Sequence, residues 1–238
     1  IGVQSLNNRS LEFLGRLHNA SEAKKAVVAA TKIFSRVSFD LIYALPEQSH
    51  LVWKKELNEA ISLAAGHLSL YQLTIEPGTE FSKNRVKCQN EDDGAALYGL
   101  TQEIADKANL PAYEISNHAQ KGQESKHNLA YWKSGDYLGI GPGAHGRITN
   151  KFETIIMQNF RQPEKWVDLA IKKQSGQQKQ LALSSKERRD EIILMGLRLT
   201  EGVSLSMFYS LTGQHLFEMI NQEKFDHLSN EGLLRISN

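Results

Sequence analysis

The chain has 238 residues, with 28 Lys and Arg against 27 Asp and Glu, which gives a formal net charge of +1. This balance provides no global attraction to nucleic-acid phosphates or anionic membranes, so neither is an expected partner. A hydrophobic fraction of 40% excludes a disordered or fibrous protein, and no apolar run approaches the roughly 20 residues that span a bilayer. The single cysteine, Cys88, cannot form an internal disulfide and indicates a reducing, cytoplasmic location.

The first part of the chain alternates strand-like and helix-like segments in the order βαβαβ, which is typical of parallel strands joined by helices. Strands are predicted over Ile1 to Ser5, Arg36 to Leu45 and His67 to Glu76. Helices are predicted over residues 8–14, 21–34 and from Ser49 to the glycine at 66. The predicted fold class is therefore α/β.

Polar residues occur within or at the ends of these predicted strands. In a barrel of alternating strands and helices, polar residues on the inner face or at the carboxyl ends of strands form the pocket. The candidates are Gln4, Asp40, Gln72, Thr74 and Glu76. Asp40 alternates with Phe39 and Leu41, which places it on the face opposite to the apolar one. The alternative is that these side chains only form hydrogen bonds with neighbouring loops.

The segment from His127 to Gly146 has four glycines, at 139, 141, 143 and 146, so its backbone can turn sharply and approach a ligand closely. The spacing does not match a phosphate-binding loop. His127 and His145 are candidate imidazole ligands for a metal or heme. Tyr131 and Trp132 could stack on a flat macrocycle. No Cys or carboxylate has zinc-like spacing. Alternatively, His127 and Asn128 hydrogen-bond to the glycine-rich backbone and hold it in place.

The polar stretch from Gln174 to Gln180 is predicted to be a surface linker. A capping box at Ser184 to Glu187 then starts a helix, followed by predicted helices over 206–211 and 214–228 and by a turn and short strand over 231–236. This order resembles a winged-helix module. The segment 214–228 carries more acidic than basic residues, which favours intramolecular or protein docking over nucleic-acid binding.

Five segments together resemble successive motifs of the oxygen-independent coproporphyrinogen III oxidase-like radical SAM family, in particular its heme-chaperone branch. They are GVQSLNNRSLEFLGRLH (2–18), VSFDLIYALPEQ (37–48), HLSLYQLTIEPGT (67–79), YEISNHA (113–119) and HNLAYWKSGDYLGIGPGAHG (127–146). The resemblance implies the C-terminal half of a partial (β/α)6 barrel over 1–110. A family-specific extension would occupy 111–173, and a winged-helix-like domain would occupy 181–238.

The resemblance also implies a cofactor site. Gln4, Arg16 and Asp40 would contact S-adenosylmethionine, and Tyr71 and Thr74 would line the same cofactor. The Arg16 guanidinium suits the carboxylate of this cofactor, and the Asp40 carboxylate can accept hydrogen bonds from its ribose hydroxyls. A purely structural ion pair of Arg16 with Asp40 or Glu12 is the alternative. Within the same resemblance, His127 and Tyr131 are the candidates for binding heme.

Members of this family hold a [4Fe–4S] cluster with three cysteines in a C-x-x-x-C-x-x-C motif, whereas this chain has only Cys88. The expectation is that an N-terminal part absent from this sequence binds the cluster and that this chain alone has no radical activity. A heme chaperone that passes heme to an acceptor protein is the favoured function. The alternatives are oxidative decarboxylation of coproporphyrinogen III and, outside the family, a non-catalytic docking module.

The sequence departs from the family pattern at a few positions. Ala44 and Glu47 stand where the family usually has glycine, in the motif GLPGQ. Pro142 replaces a favoured alanine, and His118 replaces a favoured aromatic residue. These differences predict some change in local loop geometry.

Overall fold

The computed structural model describes residues 1–151 and 153–237, and the chain divides into two compact units, Ile1–Ser125 and Lys126–Asn238. The first unit is α/β. Its helices are α1 (Asn8–Phe13), α2 (Ala20–Ile33), α3 (His50–Leu63), α4 (Glu80–Lys83) and α5 (Glu91–Lys107). Its strands are β1 (Phe39–Tyr43), β2 (His67–Gln72) and β3 (Asn117–Ala119).

The three strands of the first unit form an open sheet in the order β1-β2-β3, not a closed barrel. β1 and β2 are parallel, which confirms the predicted crossover through a helix, and β3 is antiparallel to β2. The predicted first strand, Ile1 to Ser5, is reduced to a single parallel bridge between Gln4 and Leu41. That prediction is wrong in extent because Gln4 has a φ of 71°, which an extended strand does not allow.

The core of the first unit lies on one face of this sheet. Phe39, Leu41 and Tyr43 are buried there against α3, and the rings of Tyr43 and Trp53 stack with their centroids 4.9 Å apart. Trp53 Nε1 donates a 2.8 Å hydrogen bond to Thr101 in α5, so the indole is satisfied although it is fully buried. The opposite face of β1, which carries Asp40 and Ile42, is only half-buried.

The second unit contains an antiparallel sheet in the order β4-β5-β6 together with six helices among its described residues. The strands are β4 (His145–Asn150), β5 (Glu153–Asn159) and β6 (Gln177–Ala182). The helices are α6 (Lys126–Trp132), α7 (Pro163–Lys173), α8 (Ser185–Gly196), α9 (Leu205–Thr212), α10 (Leu216–Met219) and α11 (Gln222–Asn230). None of the described helices is long and apolar enough to cross a lipid bilayer.

Two sequence predictions for the second unit need correction. The expected linker over 174–180 is wrong in its second half, because residues from Gln177 pair with β5 as the edge strand β6. This strand is mostly exposed and is recognised by its backbone pairing with β5, so its sequence lacks the apolar alternation that would have marked it as a strand. The predicted terminal strand over 231–236 is also wrong, since no strand occurs in residues 231–237.

Helix prediction in the C-terminal region is partly confirmed. The capping box is formed as expected, with Ser184 accepting from the Glu187 backbone and Glu187 accepting in return, and α8 begins there. The predicted helix over 206–211 is α9. The predicted helix over 214–228 is divided into α10 and α11, because Ile220 has extended backbone angles.

Candidate functional site

The structure brings together Gln4, Arg16 and Asp40, three residues from separate parts of the first unit, and we call them the Gln4 cluster. The Gln4 backbone N–H donates to the Asp40 carbonyl at 2.6 Å, and the Gln4 carbonyl accepts from Ile42 at 2.8 Å. Arg16 Nη2 donates to Gln4 Oε1 at 3.3 Å. The first unit therefore brings the Arg16 guanidinium to the Gln4 amide and places the Gln4 backbone against that of Asp40.

The backbone of Gln4 is held in the left-handed region, which is costly for a residue with a side chain. Its two neighbours are fixed by side chains from other elements. His18 Nε2 lies 2.9 Å from the Val3 carbonyl, and Glu56 Oε1 accepts from the Leu6 backbone at 2.7 Å and from the Ser5 hydroxyl. These contacts compensate for the strain and fix the direction of the Gln4 side chain.

Sequence analysis missed Glu56, although the signal was present. The residue lies among Trp53, Leu57 and Ala60 on the buried side of α3, and a carboxylate on an apolar helix face indicates a specific buried partner. Burial raises the pKa of Glu56 above its usual value, and the hydrogen bond from Ser5 opposes that change. Glu56 is a positioning residue for the Gln4 cluster.

Arg16 is exposed, and within the described residues it forms no ion pair with Asp40 or Glu12. The structural ion pair considered from the sequence is therefore wrong. The 3.3 Å hydrogen bond to Gln4 is the contact that orients the guanidinium, so most of its donors face solvent.

Tyr71 and Thr74 occupy different positions relative to the Gln4 cluster. Asp40 pairs with Ser69 across the sheet, and the two-residue alternation puts Tyr71 on that same face, 42% exposed. Thr74 lies beyond the end of β2, where its hydroxyl donates to the Gln72 carbonyl at 3.4 Å. Gln72 itself packs against α5, because a Cβ at Gly94 would come within 2.7 Å of its amide nitrogen. Glu76 is exposed after the strand.

The chemistry of the Gln4 cluster fits one end of S-adenosylmethionine but not an iron–sulfur cluster. A guanidinium, an amide and a half-buried carboxylate on an open sheet face can bind a carboxylate and hydroxyl groups. Within residues 1–151 and 153–237, no three His, Cys, Asp or Glu side chains come together in an arrangement that could hold a metal ion.

A buried polar chain in the first unit explains the YEISNHA segment, which contains β3. His67 Nδ1 lies 2.6 Å from the Ser38 hydroxyl, and its Nε2 lies 2.9 Å from the Tyr113 hydroxyl. Burial and the nearby Arg36 lower the pKa of His67 to about 4. Beside it, Asn117 accepts from Ser69 at 2.7 Å, and a buried Glu114 accepts from Asn117. This network fastens β3 to β2.

His118, which stands where the family favours an aromatic residue, is 1% exposed and has Nδ1 3.3 Å from the Leu110 carbonyl. Burial lowers its pKa. The imidazole is thus buried in its neutral form.

In the second unit, His127, Tyr131 and Tyr137 form what we call the aromatic row. His127 is exposed, and its Nε2 lies 3.2 Å from the Tyr131 hydroxyl. The two rings meet edge to face, with their centroids 4.7 Å apart. The Tyr131 ring in turn contacts the Tyr137 ring edge-on, with the ring centroids 4.4 Å apart. The spacing of four residues places His127 and Tyr131 on the same face of α6, so their proximity follows from the helix.

Trp132 does not join the aromatic row. The Arg198 guanidinium lies over its ring, 4.3 Å from the centroid, in a cation–π contact. One face of the indole is therefore already occupied, and the prediction that both aromatic residues stack on a macrocycle is not supported for Trp132.

The glycine loop, residues 139–146, is held by Asn159 of β5, whose amide donates to the carbonyls of Gly139 at 3.2 Å and Gly141 at 2.9 Å. His127 bonds to Tyr131 instead, so it does not hold this loop in place. A Cβ at Gly139 would overlap the His145 carbonyl, which explains the glycine there. Two apolar side chains are exposed here, Leu138 just before the loop at 70% and Ile140 within it at 85%. Sequence analysis did not single them out.

Comparison with known proteins supports the family resemblance. Residues 183–238 match the HemN C-terminal domain. The chain is 36% identical to radical S-adenosyl methionine domain-containing protein 1, mitochondrial, of Dictyostelium discoideum, in an alignment covering 98% of this chain and 59% of that protein. It is 34% identical to the heme chaperone HemW of Bacillus subtilis (strain 168), with 90% of this chain and 57% of that protein covered.

The fold is similar to the solved structure of coproporphyrinogen III oxidase (HemN) from Escherichia coli, with a TM-score of 0.77 and 16% identity. The match covers 99% of this chain and 58% of the solved chain. This chain spans about half the length of the curated relatives that it matches. The motifs, the fold and these relatives agree, and the chain belongs to the HemN/HemW family of radical SAM proteins.

Proposed function

We propose that this chain belongs to a heme chaperone, and that it binds heme on the exposed surface formed by α6 and the glycine loop. The observation that carries the proposal is the exposed His127 imidazole, which is oriented by Tyr131 at the start of the aromatic row. An imidazole nitrogen is a common axial ligand of heme iron. The 34% identity to a protein named as a heme chaperone supports the same function.

The segment that follows Tyr137, the last member of the aromatic row, suits a carrier. The exposed Leu138 and Ile140 offer apolar contacts to a porphyrin, and neither must be uncovered first. A carrier has to release its heme to an acceptor protein, and an accessible site on a loop allows the acceptor to reach the macrocycle. The exposure of the site is therefore a functional requirement in this proposal.

The second part of the proposal concerns S-adenosylmethionine. In the whole protein, Arg16 would bind the carboxylate of the cofactor, and Gln4 and Asp40 would bind its polar groups, with Tyr71 and Thr74 nearby. S-adenosylmethionine, when bound beside a reduced [4Fe–4S] cluster, supplies a radical. The cluster belongs to the proposal for the whole protein only, because this sequence has a single cysteine.

The two alternatives have less support. The oxidase alternative is supported only by a similar fold, in a solved structure that is 16% identical to this chain. Relatives named as heme chaperones are 34% and 43% identical to it over the aligned residues. A docking-only function would leave the exposed histidine and the Gln4 cluster without a role. The single cysteine is consistent with a protein that functions in a reducing compartment. The relatives include proteins named as mitochondrial.

Heme titration of the chain tests the proposal. His127→Ala should abolish or strongly shift the Soret band, with circular dichroism used to show that the variant is folded. His215→Ala is the matched control, because His215 is also exposed and contacts a tyrosine, Tyr209, at 4.7 Å. An unchanged Soret spectrum and affinity in folded His127→Ala would refute His127 as the ligand. His145, exposed at the end of the glycine loop, would then be tested next.

The cofactor part is tested by calorimetry on the full-length, cluster-loaded protein. Arg16→Ala should weaken S-adenosylmethionine binding by about 2 kcal/mol, roughly 30-fold, because a charge-assisted hydrogen bond is lost. Arg9→Ala is the control, since Arg9 is exposed on α1. Equal affinities for both variants and the wild type would show that Arg16 does not bind the cofactor.

A further inference from the structure

The second unit contains a small, largely enclosed cavity of about 40 Å³ next to the aromatic row. We call it the arginine cavity. Its main lining residues are Tyr131, Ser134, Tyr137, Arg147, Arg188 and Glu191. One water molecule needs roughly 10 to 15 Å³ of such space, so the cavity can hold a group of a few non-hydrogen atoms.

Two guanidinium groups share one carboxylate at this cavity. Arg147 Nε donates to Glu191 Oε1 at 2.8 Å, and Arg188 Nη1 donates to Glu191 Oε2 at 3.2 Å. Arg188 is 4% exposed, and the side chains of Arg147 and Glu191 are 23% and 15% exposed. Two guanidinium groups and one carboxylate leave the lining of the cavity with a net charge of +1. Because this place is poorly solvated, the excess charge is unfavourable without a counter-ion.

Within residues 1–151 and 153–237, two buried donors at the cavity have no hydrogen-bond partner. Arg188 uses Nη2 to bond the Ser134 carbonyl at 2.9 Å, but its Nε–H is unpartnered, and so is the Ser134 hydroxyl. Ser134 is 6% exposed. Buried polar atoms are nearly always satisfied in folded proteins, so an acceptor is expected at this position. Burial also raises the pKa of Tyr137, so the phenol stays neutral and adds no negative charge.

We propose that the arginine cavity is a carboxylate subsite, and that it takes one propionate of the heme whose iron is bound by His127. This inference rests on the proposed function. The carboxylate would accept from Arg188 Nε–H and the Ser134 hydroxyl and would neutralise the excess charge. Tyr131 connects the two places, because its ring contacts His127 and also lines the cavity.

The first experiment detects the carboxylate without heme. Sodium propionate is titrated into the ¹⁵N-labelled chain, and the Arg188 Nε–H resonance, assigned with Arg188→Lys, is followed by NMR. A saturable shift is expected with propionate, whereas propionamide, which is the same size but neutral, should produce none. No shift with propionate, or the same shift with both, would overturn the subsite and leave the cavity to water.

The second experiment assigns the carboxylate to heme. Heme should bind about tenfold more tightly than heme dimethyl ester, whose propionates are blocked, and this comparison needs no variant of the protein. Glu191→Gln, which removes the competing carboxylate and keeps an acceptor, should tighten heme binding about threefold or more and leave the ester unchanged. A purely structural Glu191 would change both ligands alike.

The two proposals fail in different ways. If heme and its ester bind equally well, the propionate assignment is wrong and heme binding by the chain stands. If neither binds, the proposed heme function fails and the propionate assignment fails with it. In that case the NMR titration still decides, separately, whether the cavity binds carboxylates.

Discussion

The two candidate sites are built in opposite ways. The Gln4 cluster sits on a sheet, and its strained backbone is fixed by buried or half-buried groups such as Glu56 and His18. The proposed heme surface lies on a short helix and a loop, and the Asn159 amide donates to two loop carbonyls. A site on a buried scaffold keeps a demanding geometry for a polar cofactor, whereas a site on a loop remains accessible for transfer.

The largest expected effect is a loss of stability on acidification, caused by the buried His67 in the sheet of the first unit. The pKa of His67 is about 4 in the folded chain and 6.5 for the ordinary group, so between these values only the unfolded chain binds the proton. Stability is therefore fully present above pH 6.5 and falls as the pH is lowered towards 4. The difference between 6.5 and about 4 corresponds to about 3 kcal/mol, to be measured by urea unfolding at several pH values.

His67→Gln is the control for the acid effect. It should flatten the pH dependence without removing it, because His118 is also buried with a lowered pKa. An unchanged slope in His67→Gln would mean that other groups dominate acid unfolding.

Glu56→Ala should have the next largest effect, about 2 to 3 kcal/mol of unfolding free energy. The change leaves the Leu6 N–H and the Ser5 hydroxyl without their buried acceptor. Glu56→Gln keeps an acceptor oxygen and should cost less than about 1 kcal/mol. Denaturant unfolding of both variants separates the hydrogen bonds from the charge, and equal losses would contradict a positioning role.

Asn159→Ala should have a smaller effect on stability, about 1 to 2 kcal/mol, but a larger one on heme binding. The loop would lose two hydrogen bonds to the carbonyls of Gly139 and Gly141. Heme affinity measured by Soret titration should fall, whereas the Gln4 cluster should be unaffected. Asn150→Ala, an exposed asparagine at the end of β4, is the control. Intact heme affinity in Asn159→Ala would show that the loop needs no such support.

The smallest expected effect is a gain in stability from Glu47→Gly. Ala44 and Glu47 both have positive φ values, 56° and 59°, which is the conformation expected of the glycines in the GLPGQ pattern. The chain thus keeps the glycine-type turn with residues that pay a conformational penalty there. Glu47→Gly should stabilise the chain by about 0.5 to 1 kcal/mol in thermal unfolding. A loss of stability would mean that the exposed glutamate makes a compensating interaction.

Several features of this protein could be predicted from the sequence because they depend on local patterns. The alternation around Asp40 predicted its face of β1, and the capping box predicted the start of α8. The spacing of His127 and Tyr131 is one helical turn, so their contact was already implied by α6. The order of motifs was enough for the family, which the relatives confirm.

Other features depend on contacts that no local pattern contains. Glu56 acts on Ser5 and Leu6, some fifty residues away in sequence, and the edge strand β6 is defined only by the strand beside it. The arginine cavity joins Ser134 and Arg188 through a fold that the sequence of neither segment indicates. Periodicity and capping are properties of neighbouring residues, so the sequence by itself determined the elements and the family. Burial and pairing depend on which distant segments meet, and only the tertiary structure decided which buried polar groups have hydrogen-bond partners.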